Sequence, residues 1–439
     1  MPHKRLEPYR PSERSPWNTE RVVHLHRRAG FAASWDRIMR DVQEEPEAAI
    51  DRMLDARTSP DFEKMSTVIC DAAVGSGDIT RLKAWWLYRM LFTPNPLVER
   101  LTLGWHNHFA TSNAKINDVA LMRNQNELLR TFAVAKFSDL LAAIVKDPAI
   151  LIWLDADANR KEHPNENLAR ELMELFTLGV GNYSESDVKE SARTLTGWTV
   201  ARGKFRSDEN LHDAGEKTIL GKTGSWNGDD LLNILAEHPE ASRRLAFRVC
   251  ELFLGESVTN EQLIEELADG LRENRLDISW AVETLLRSEL FFSENNMNNR
   301  IMSPTHFFIG ASRALEIVDP PPSTWLLAEW SKRLGEDLFN PPNVFGWAGG
   351  RAWLTSRAVI GRANFAKALV EGELTAEKKT FDARALAAKY GFVKEKEVGD
   401  FYSQLLLGRS NLPTQWSTLL SDPQRLVVTL LSSAEGQIG

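Results

Sequence analysis

Several features that would point to a familiar class of protein are scarce in this chain of 439 residues. It has two cysteines, Cys70 and Cys250, which lie far apart in apolar helical contexts. We therefore expect buried free thiols and no disulfide framework. No window contains the roughly 20 consecutive apolar residues that a membrane span requires. The N-terminus carries charge and proline without an apolar segment, which predicts a cytoplasmic protein.

Clusters of basic residues and the commonest enzyme motifs are also missing. The net charge is −8 and the basic residues are spread along the chain, which argues against nucleic acid or an anionic membrane as the main partner. The G-x-G-x-x-G, P-loop, G-x-S-x-G, C-x-x-C and H-E-x-x-H patterns do not occur, and no internal repeat is visible. With 43% hydrophobic and 26% charged residues, the composition is that of an ordinary globular protein.

What the chain does have is helical periodicity along most of its length. We predict an all-α fold, mostly helical with orthogonal and antiparallel packing, and a small β-hairpin or ordered loop near 199–226. The expected organisation is an irregular N-terminal arm (1–17), one large helical domain (18–375) and a C-terminal helical extension packed on it (376–439).

The densest functional signal is a predicted helical hairpin at 164–198. Its first helix, of about four turns, has Pro164 in its first turn and ends at Gly179. One face of it carries Asn167, Arg170, Glu171 and Glu174. This stripe is either a site, with Glu171 and Glu174 as acid–base groups and Asn167 and Arg170 binding a substrate, or a solvated face. Two carboxylates so close should not be equivalent, and one pKa should rise.

The second helix of the hairpin is predicted to begin after Ser184, whose Ser-x-x-Asp pattern approximates a capping box. Arg193 on this helix is expected to reach the carboxylate stripe. The following segment, LHDAGEKTILG at 211–221, would bring a catalytic imidazole, His212, and two binding residues, Asp213 and Lys217, to the stripe if it lay over it. The alternative is a turn in which the aspartate caps its own backbone.

A second polar cluster is the His106-Asn107-His108 run. Residues at i and i+2 lie about 200° apart on a helix, so both histidines can serve one site only if the helix ends near Trp105. With His212 or Glu171 they would then suit zinc or another first-row divalent ion. The alternative is that His106 and His108 are proton carriers, or satisfied core or capping residues.

Two further stretches bear on ligand binding. The run 340–353, NPPNVFGWAGGRAW, is too rich in proline and glycine for regular structure, so Asn343 and Trp347 would lie on a rigid loop, either a pocket wall or a clamp between helices. The 14 tryptophans are mostly core anchors by this interpretation, although a surplus could line a sugar cleft. The Arg27-Arg28 pair is either an anion hook or, as we favour, a charged last turn that complements the helix dipole.

Five stretches together resemble a family of bacterial proteins, the domain of unknown function 1800 family. They are HLHRRAGF at 24–31, WHNHFATS at 105–112, the run from Asn165 to Trp198, LHDAGEKTILG at 211–221, and NPPNVFGWAGGRAW at 340–353. The resemblance implies a mostly helical fold, a protein often exported, which points to the periplasm, and a sulfatase-like partner. The chain departs from the family at Ala32, where glycine is more usual.

Two classes of function remain open. The first is an acid–base hydrolase acting on a polar polymer, glycoside or ester, in which Glu171, Glu174, His106, His108 and His212 supply the chemistry. The second is a non-catalytic helical binding or assembly protein whose polar clusters fix the packing. The concentration of carboxylates, imidazoles and aromatic loops in the five stretches favours the enzyme.

Overall fold

The fold is predominantly helical, as the periodicity predicted. The structure, a computed structural model, describes residues 6–255 and 259–439. Within these ranges the β-structure is confined to two small antiparallel hairpins. The first joins β1 (Trp198–Ala201) to β2 (Lys204–Ser207), and the second joins β3 (Lys217–Ile219) to β4 (Lys222–Gly224). Both lie in or beside the 199–226 segment, so this prediction is confirmed.

The helices of the first half follow one another through short connections. They are α1 (Thr19–Ala29), α2 (Trp35–Val42), α3 (Pro46–Leu54), α4 (Pro60–Ser76), α5 (Ile79–Phe92), α6 (Pro96–His108), α7 (Asn113–Ile116), α8 (Val119–Thr131), α9 (Phe137–Val145), α10 (Pro148–Trp153), α11 (Asn167–Glu171) and α12 (Glu185–Thr194). A π-helix (Leu172–Thr177) continues directly from α11. Short 3₁₀ turns occupy Ala156–Ala158 and Glu209–Leu211.

The second half of the chain is also mainly helical. Its helices are α13 (Gly228–Ala236), α14 (Pro239–Phe253), α15 (Glu261–Glu273), α16 (Ile278–Leu286), α17 (Pro304–Ala314), α18 (Thr324–Arg333), α19 (Ser356–Val370), α20 (Ala383–Lys389), α21 (Glu395–Leu407) and α22 (Pro423–Ser432). Further 3₁₀ turns occupy Gly350–Leu354, Thr414–Leu419 and Glu435–Gln437. The sequence from Gly228 to Leu290 has amphipathic spacing that predicts a block of helices, and residues 256–258 within it lie outside the described residues.

The buried apolar side chains form two clusters, and α1 and α6 lie between them. One cluster draws mainly on 97–292 and the other mainly on 62–91 and 302–431. Helix α6 places Leu101 and Trp105 in the first cluster and Leu103 in the second. Because both flanks of α6 are buried, any polar side chain on it must find a partner or a cavity inside the protein.

Local sequence signals set many of the element boundaries. Helix α1 spans Thr19–Ala29, and Ser184 and Asp187 form the expected capping box. Ala32, where the family resemblance led us to expect glycine, has a φ of 63°. An alanine therefore adopts a conformation that favours glycine.

The two thiols and the termini complete the picture. Cys70 and Cys250 are buried and free, which confirms that prediction. Of the predicted N-terminal arm, residues 6–17 form no helix or strand, and residues 1–5 lie outside the described residues. The buried side chains of 376–439 belong to the same cluster as those of 302–374, and the division at 375 stays a prediction. Among the described residues, no helix has the length and apolarity to cross a membrane.

Candidate functional site

The predicted first helix of the hairpin is present but changes type midway. After α11 the chain forms a π-helix in which the Leu178 N–H donates to Met173 O at 2.8 Å. Segments of π-helix are rare in proteins, and those that occur often lie at functional sites. The spacing of the leucines in this segment is also the spacing expected for an α-helix. The sequence therefore gives no signal for the π-helix.

Glu171 and Glu174 are not equivalent, as predicted. Burial, followed by the charge of Glu174, raises the pKa of Glu171 to about 7, and Arg170 opposes that rise. Glu174 instead accepts a hydrogen bond from the Tyr183 hydroxyl at 2.8 Å. The half-buried carboxyl group of Glu171 thus titrates close to neutral pH, whereas Glu174 is hydrogen-bonded to Tyr183.

The other two members of the stripe are engaged elsewhere. Arg170 donates to Glu166 and to Glu185, each at 2.8 Å, which ties α11 to the start of α12. The Asn167 side chain donates to Asp155 at 3.4 Å. These contacts are those of a largely solvated helix face, which was the structural alternative for this stripe.

The 211–221 segment is fastened to the end of α12, which corrects its predicted placement over the stripe. Arg193 forms a bidentate pair with Asp213, at 2.7 and 3.2 Å, instead of reaching the stripe. His212 Nδ1 lies 3.0 Å from Thr196 O. The Lys217 ammonium, on a side chain only 1% exposed, donates to the carbonyl oxygens of Asp213, Gly215 and Trp226. This pattern is that of a turn closing on its own backbone.

The two histidines of 106–108 point into different environments, which corrects the shared metal site. Helix α6 continues to His108, so the condition for a chelating pair is not met. The His106 ring packs against Trp86, Phe339 and Trp347, with centroids 5.3–5.6 Å apart, and burial lowers its pKa to about 3. Among the described residues, no group of three histidine, cysteine or acidic side chains is arranged to hold a metal ion.

His108 is enclosed on the opposite flank of the helix. Its Nε2 lies 3.2 Å from Phe176 O, in the π-helix. Burial, followed by the charges of Arg248 and Arg244, holds the pKa of His108 well below its ordinary value. Both imidazoles are therefore neutral at pH 7.

The 340–353 loop is held against α6 by Asn107. The Trp347 N–H donates to Asn107 Oδ1 at 2.7 Å, and the asparagine amide returns a bond of 3.4 Å to Trp347 O. Gly346 has a φ of 75°, and a Cβ there would lie 2.2 Å from Asn107 Oδ1, so only glycine fits. Asn343 accepts the Phe345 N–H at 3.0 Å and is a turn residue. The loop is thus a clamp, and it also forms a wall of the cavity described next.

A buried polar cavity lies between α6, α17 and this loop. We call it the arginine cavity; its volume is about 90 Å³, and its polar walls include Arg28, Arg100, Arg300, His306 and Glu336. It shares Asn107, Trp347 and Gly349 with an outer cleft of about 490 Å³, which is also lined by Phe247, Arg248 and Arg351. Three of the five sequence stretches, 24–31, 105–112 and 340–353, therefore meet here.

Two of the arginines are deeply buried and have no aspartate or glutamate partner among the described residues. Arg28 is 1% exposed and donates to Phe253 O at 3.1 Å, to Asn296 and to Gly439. Arg100 is 5% exposed and donates to Leu252 O at 3.2 Å. Burial, followed by the charge of Arg300, lowers the pKa of both guanidinium groups. Within 6–255 and 259–439, neither side chain forms an ion pair, and neither Nε has a hydrogen-bond partner.

Glu336 and His306 supply the acid–base groups of the cavity. Gly335, with a φ of 97°, turns the chain after α18 and places Glu336 at the start of α17, where it accepts the Thr305 N–H at 2.8 Å. Burial raises the pKa of Glu336, and hydrogen bonds from Thr305 and Ser303 oppose that rise. Burial, followed by the charges of Arg100 and Arg300, holds the pKa of His306 well below its ordinary value.

Sequence reasoning missed most of this cavity. It noted Arg28 but favoured a dipole role in the last turn of α1, whereas the side chain is buried. His306 and Glu336 lie in segments whose pattern is that of ordinary helices. A signal did exist for Arg100: the Glu99-Arg100 pair stands near the start of a helix that is apolar on both flanks.

Comparison with known proteins places the chain in a family. The family model described as "Protein of unknown function (DUF1800)" matches residues 24–435. The chain belongs to the DUF1800 family. The match spans all the polar residues of the arginine cavity that are named above. No curated protein and no solved structure shows significant similarity to this DUF1800 protein.

Proposed function

We propose that this DUF1800 protein is an acid–base enzyme of the hydrolase type whose site is the arginine cavity and the outer cleft. One observation carries this proposal: a buried carboxyl group, Glu336, lines the same cavity as Arg28 and Arg100, two guanidinium groups with no aspartate or glutamate partner among the described residues. In a structural ion pair the two opposite charges normally compensate each other, whereas a functional site often leaves a charged group available to bind the substrate.

In this proposal Glu336 is the proton acceptor. Because burial raises the pKa of its carboxyl group, the carboxylate is a stronger base than a solvated glutamate. It would take a proton from a water molecule as that water attacks the substrate. Arg28 and Arg100 would hold the substrate in place and stabilise negative charge as it develops. Trp347 and the glycines beside it would form the wall against which a polar substrate, a glycoside or an ester, lies.

A second candidate, a binding protein without turnover, is favoured by the position of Glu336 itself. Its carboxylate accepts the Thr305 N–H at the first turn of α17, where a negative charge complements the helix dipole. This role alone would explain a glutamate at this place. The cavity would then bind a ligand and leave it unchanged.

The decisive comparison is Glu336→Gln against Glu171→Gln. Both changes keep the side-chain shape, and the amide oxygen at position 336 still accepts the Thr305 N–H. In a screen of glycosides and of phosphate, sulfate and carboxylate esters, we expect the wild type to turn over one class. Glu336→Gln should abolish that activity, and Glu171→Gln should keep it.

Thermal melts would show that both variants are folded. A wild type that binds ligands but hydrolyses none of these classes would support the second candidate. Full activity in Glu336→Gln, or loss of activity in Glu171→Gln alone, would move the chemistry back to the hairpin.

A further inference from the structure

We propose that the arginine cavity binds a tetrahedral oxyanion, the phosphate or sulfate group of a larger ligand, and that Arg28 and Arg100 are its main contacts. The inference deepens the function proposed above and rests on the same site. It concerns binding, so it can hold whether or not Glu336 supports turnover.

The first argument is charge. A buried guanidinium stays protonated, and a buried charge costs several kcal/mol unless an opposite charge compensates it. Arg28 and Arg100 are both at least nine-tenths buried, and they donate to backbone carbonyl oxygens and asparagine amide oxygens, with the terminal residue Gly439 as a further acceptor for Arg28. Among the described residues, Glu336 is the one carboxylate side chain in the cavity wall.

The second argument is the set of unsatisfied donors and acceptors. Arg28 Nε, Arg100 Nε and His306 Nε2 are buried, lack a hydrogen-bond partner among the described residues, and belong to side chains that line this one cavity. Guanidinium groups match the oxygen spacing of phosphate and sulfate, and such charge-assisted bonds are among the strongest in proteins. A single oxyanion could complete the hydrogen bonding of both arginines.

The third argument is size. A volume of about 90 Å³ exceeds several-fold the roughly 10–15 Å³ that one water needs, so a group of four oxygens fits. The outer cleft shares a wall with the cavity and is about five times larger. The anionic group would therefore enter the arginine cavity, and the rest of the ligand would lie against Phe247, Arg248 and Trp347.

Glu336 sets a condition on this binding. A carboxylate beside an oxyanion repels it, whereas a protonated carboxyl group can donate a hydrogen bond to it. A bound anion would disfavour the ionised form of Glu336 further. Binding should thus weaken as the pH rises and Glu336 ionises, although the ionised form is the one that could accept a proton, so affinity and turnover should change in opposite directions with pH. Glu336→Gln should bind the anion at least as well as the wild type.

The test is titration calorimetry of the full chain with sodium phosphate, sodium sulfate, 4-nitrophenyl phosphate and 4-nitrophenyl sulfate. We expect saturable binding of at least one inorganic ion and tighter binding of its aryl ester. Arg100→Met should weaken binding about tenfold or more, because it removes a charged contact to the ligand. The change should disturb the fold little, because Arg100 donates one hydrogen bond to the protein. The matched control is Arg57→Gln, which removes the same charge from an exposed arginine and should bind like the wild type.

Arg100→Lys, which keeps the charge, provides a second variant if Arg100→Met does not fold, and its affinity should also fall because the planar fork is lost. Equal affinity in wild type and both Arg100 variants would overturn the inference, as would the absence of saturable binding of all four probes. Hydrolysis of an uncharged glycoside or ester that neither phosphate nor sulfate inhibits would overturn it and leave the proposed function standing. Anion binding without turnover would do the reverse.

Discussion

Two buried arginine clusters meet at neighbouring residues of α6, and they differ in how their charges are met. On one side Glu99 accepts hydrogen bonds from Arg89 and Arg130, each at 2.7 Å, and from Trp86 at 3.0 Å. Despite complete burial, these contacts lower the pKa of Glu99 to about 2. On the other side Arg100 faces the arginine cavity with one hydrogen bond to a carbonyl oxygen.

How the charge of a buried arginine is compensated distinguishes a structural role from a ligand-binding role more clearly than residue type or burial does. The Glu99 cluster is closed: Glu99 lies between two guanidinium groups, each of which also pairs with a second, more exposed glutamate, and packing explains it fully. A third case lies between the two: among the described residues Arg313 is buried with no aspartate or glutamate partner, but it donates to the carbonyl oxygens of Ala32, Met90, Leu91 and Thr93. Within the same described ranges Arg100 has neither such an acidic partner nor such a set of carbonyl oxygens, and it lines a cavity.

The largest expected effect is at the closed cluster. Glu99→Gln removes the one fully buried carboxylate that Arg89 and Arg130 share. Their other glutamate partners are 40% and 43% exposed and compensate the buried charge less well, so we expect the free energy of unfolding to fall by about 3–4 kcal/mol. Urea unfolding at pH 7 would measure it. Because the pKa of Glu99 is depressed, its contribution is present above pH 4.5 and lost as the pH falls toward 2, so the variant should lose less stability on acidification.

The control for this prediction is Glu127→Gln. Glu127 pairs with the same Arg130 at 3.1 Å, but its side chain is 43% exposed, so the loss should be about 1 kcal/mol or less. Equal losses in the two variants would mean that burial does not distinguish the pairs.

The next effect sharpens the contrast between the two arginines that lack a carboxylate. Arg313→Met strands several carbonyl oxygens and should cost roughly 3 kcal/mol. Arg100→Met strands one carbonyl oxygen and removes an uncompensated charge, so its stability in anion-free buffer should equal or exceed that of the wild type. Urea unfolding of both variants side by side measures the difference. A loss of several kcal/mol in Arg100→Met would show that Arg100 supports the fold as Arg313 does.

The sequence was informative where the interactions are local. Helix α1, the capping box at Ser184 and Asp187, the small hairpins and the buried thiols follow from periodicity and residue type within a few neighbouring positions. Each of these depends on contacts between residues close in the chain, which a window of sequence contains.

The site was not predictable in the same way because its contacts are distant in the chain. Arg28 bonds to Phe253, 225 residues away, and to Gly439, 411 residues away. The predicted cluster of Glu171, His106, His108 and His212 assumed that polar residues in dense stretches converge on one place. In the structure the hairpin and the 211–221 segment close on each other, and the remaining three stretches meet at the arginine cavity.

A smaller effect concerns Glu171, which is half-buried and forms no ion pair with any of the residues that the structure describes. Its pKa of about 7 lies above the ordinary value of 4.5, so its contribution to stability is present below pH 4.5 and lost as the pH rises through 7. Glu171→Gln removes the charge and should raise the free energy of unfolding at pH 8 by about 1 kcal/mol, after allowance for solvent screening, with little change at pH 4. Thermal melts across this range would check it against Glu209→Gln, an exposed control. A variant less stable than wild type at pH 8 would show that the carboxylate has a partner.

The smallest effect is expected at Arg170, which is paired but exposed, the opposite of Arg100. It bonds to Glu166 and Glu185, and their side chains are 34% and 68% exposed, so water screens both pairs. Arg170→Gln should lower the free energy of unfolding by about 0.5–1 kcal/mol and leave anion binding unchanged. Glu185→Gln, which removes one of the two partners, should cost about half as much. Urea unfolding and the calorimetric titration, run on both variants, would test this. If Arg170→Gln kept its stability but lost ligand binding or turnover, Arg170 would be a substrate contact as the sequence pattern suggested, and a paired, exposed arginine would then serve a ligand while the buried Arg100 did not.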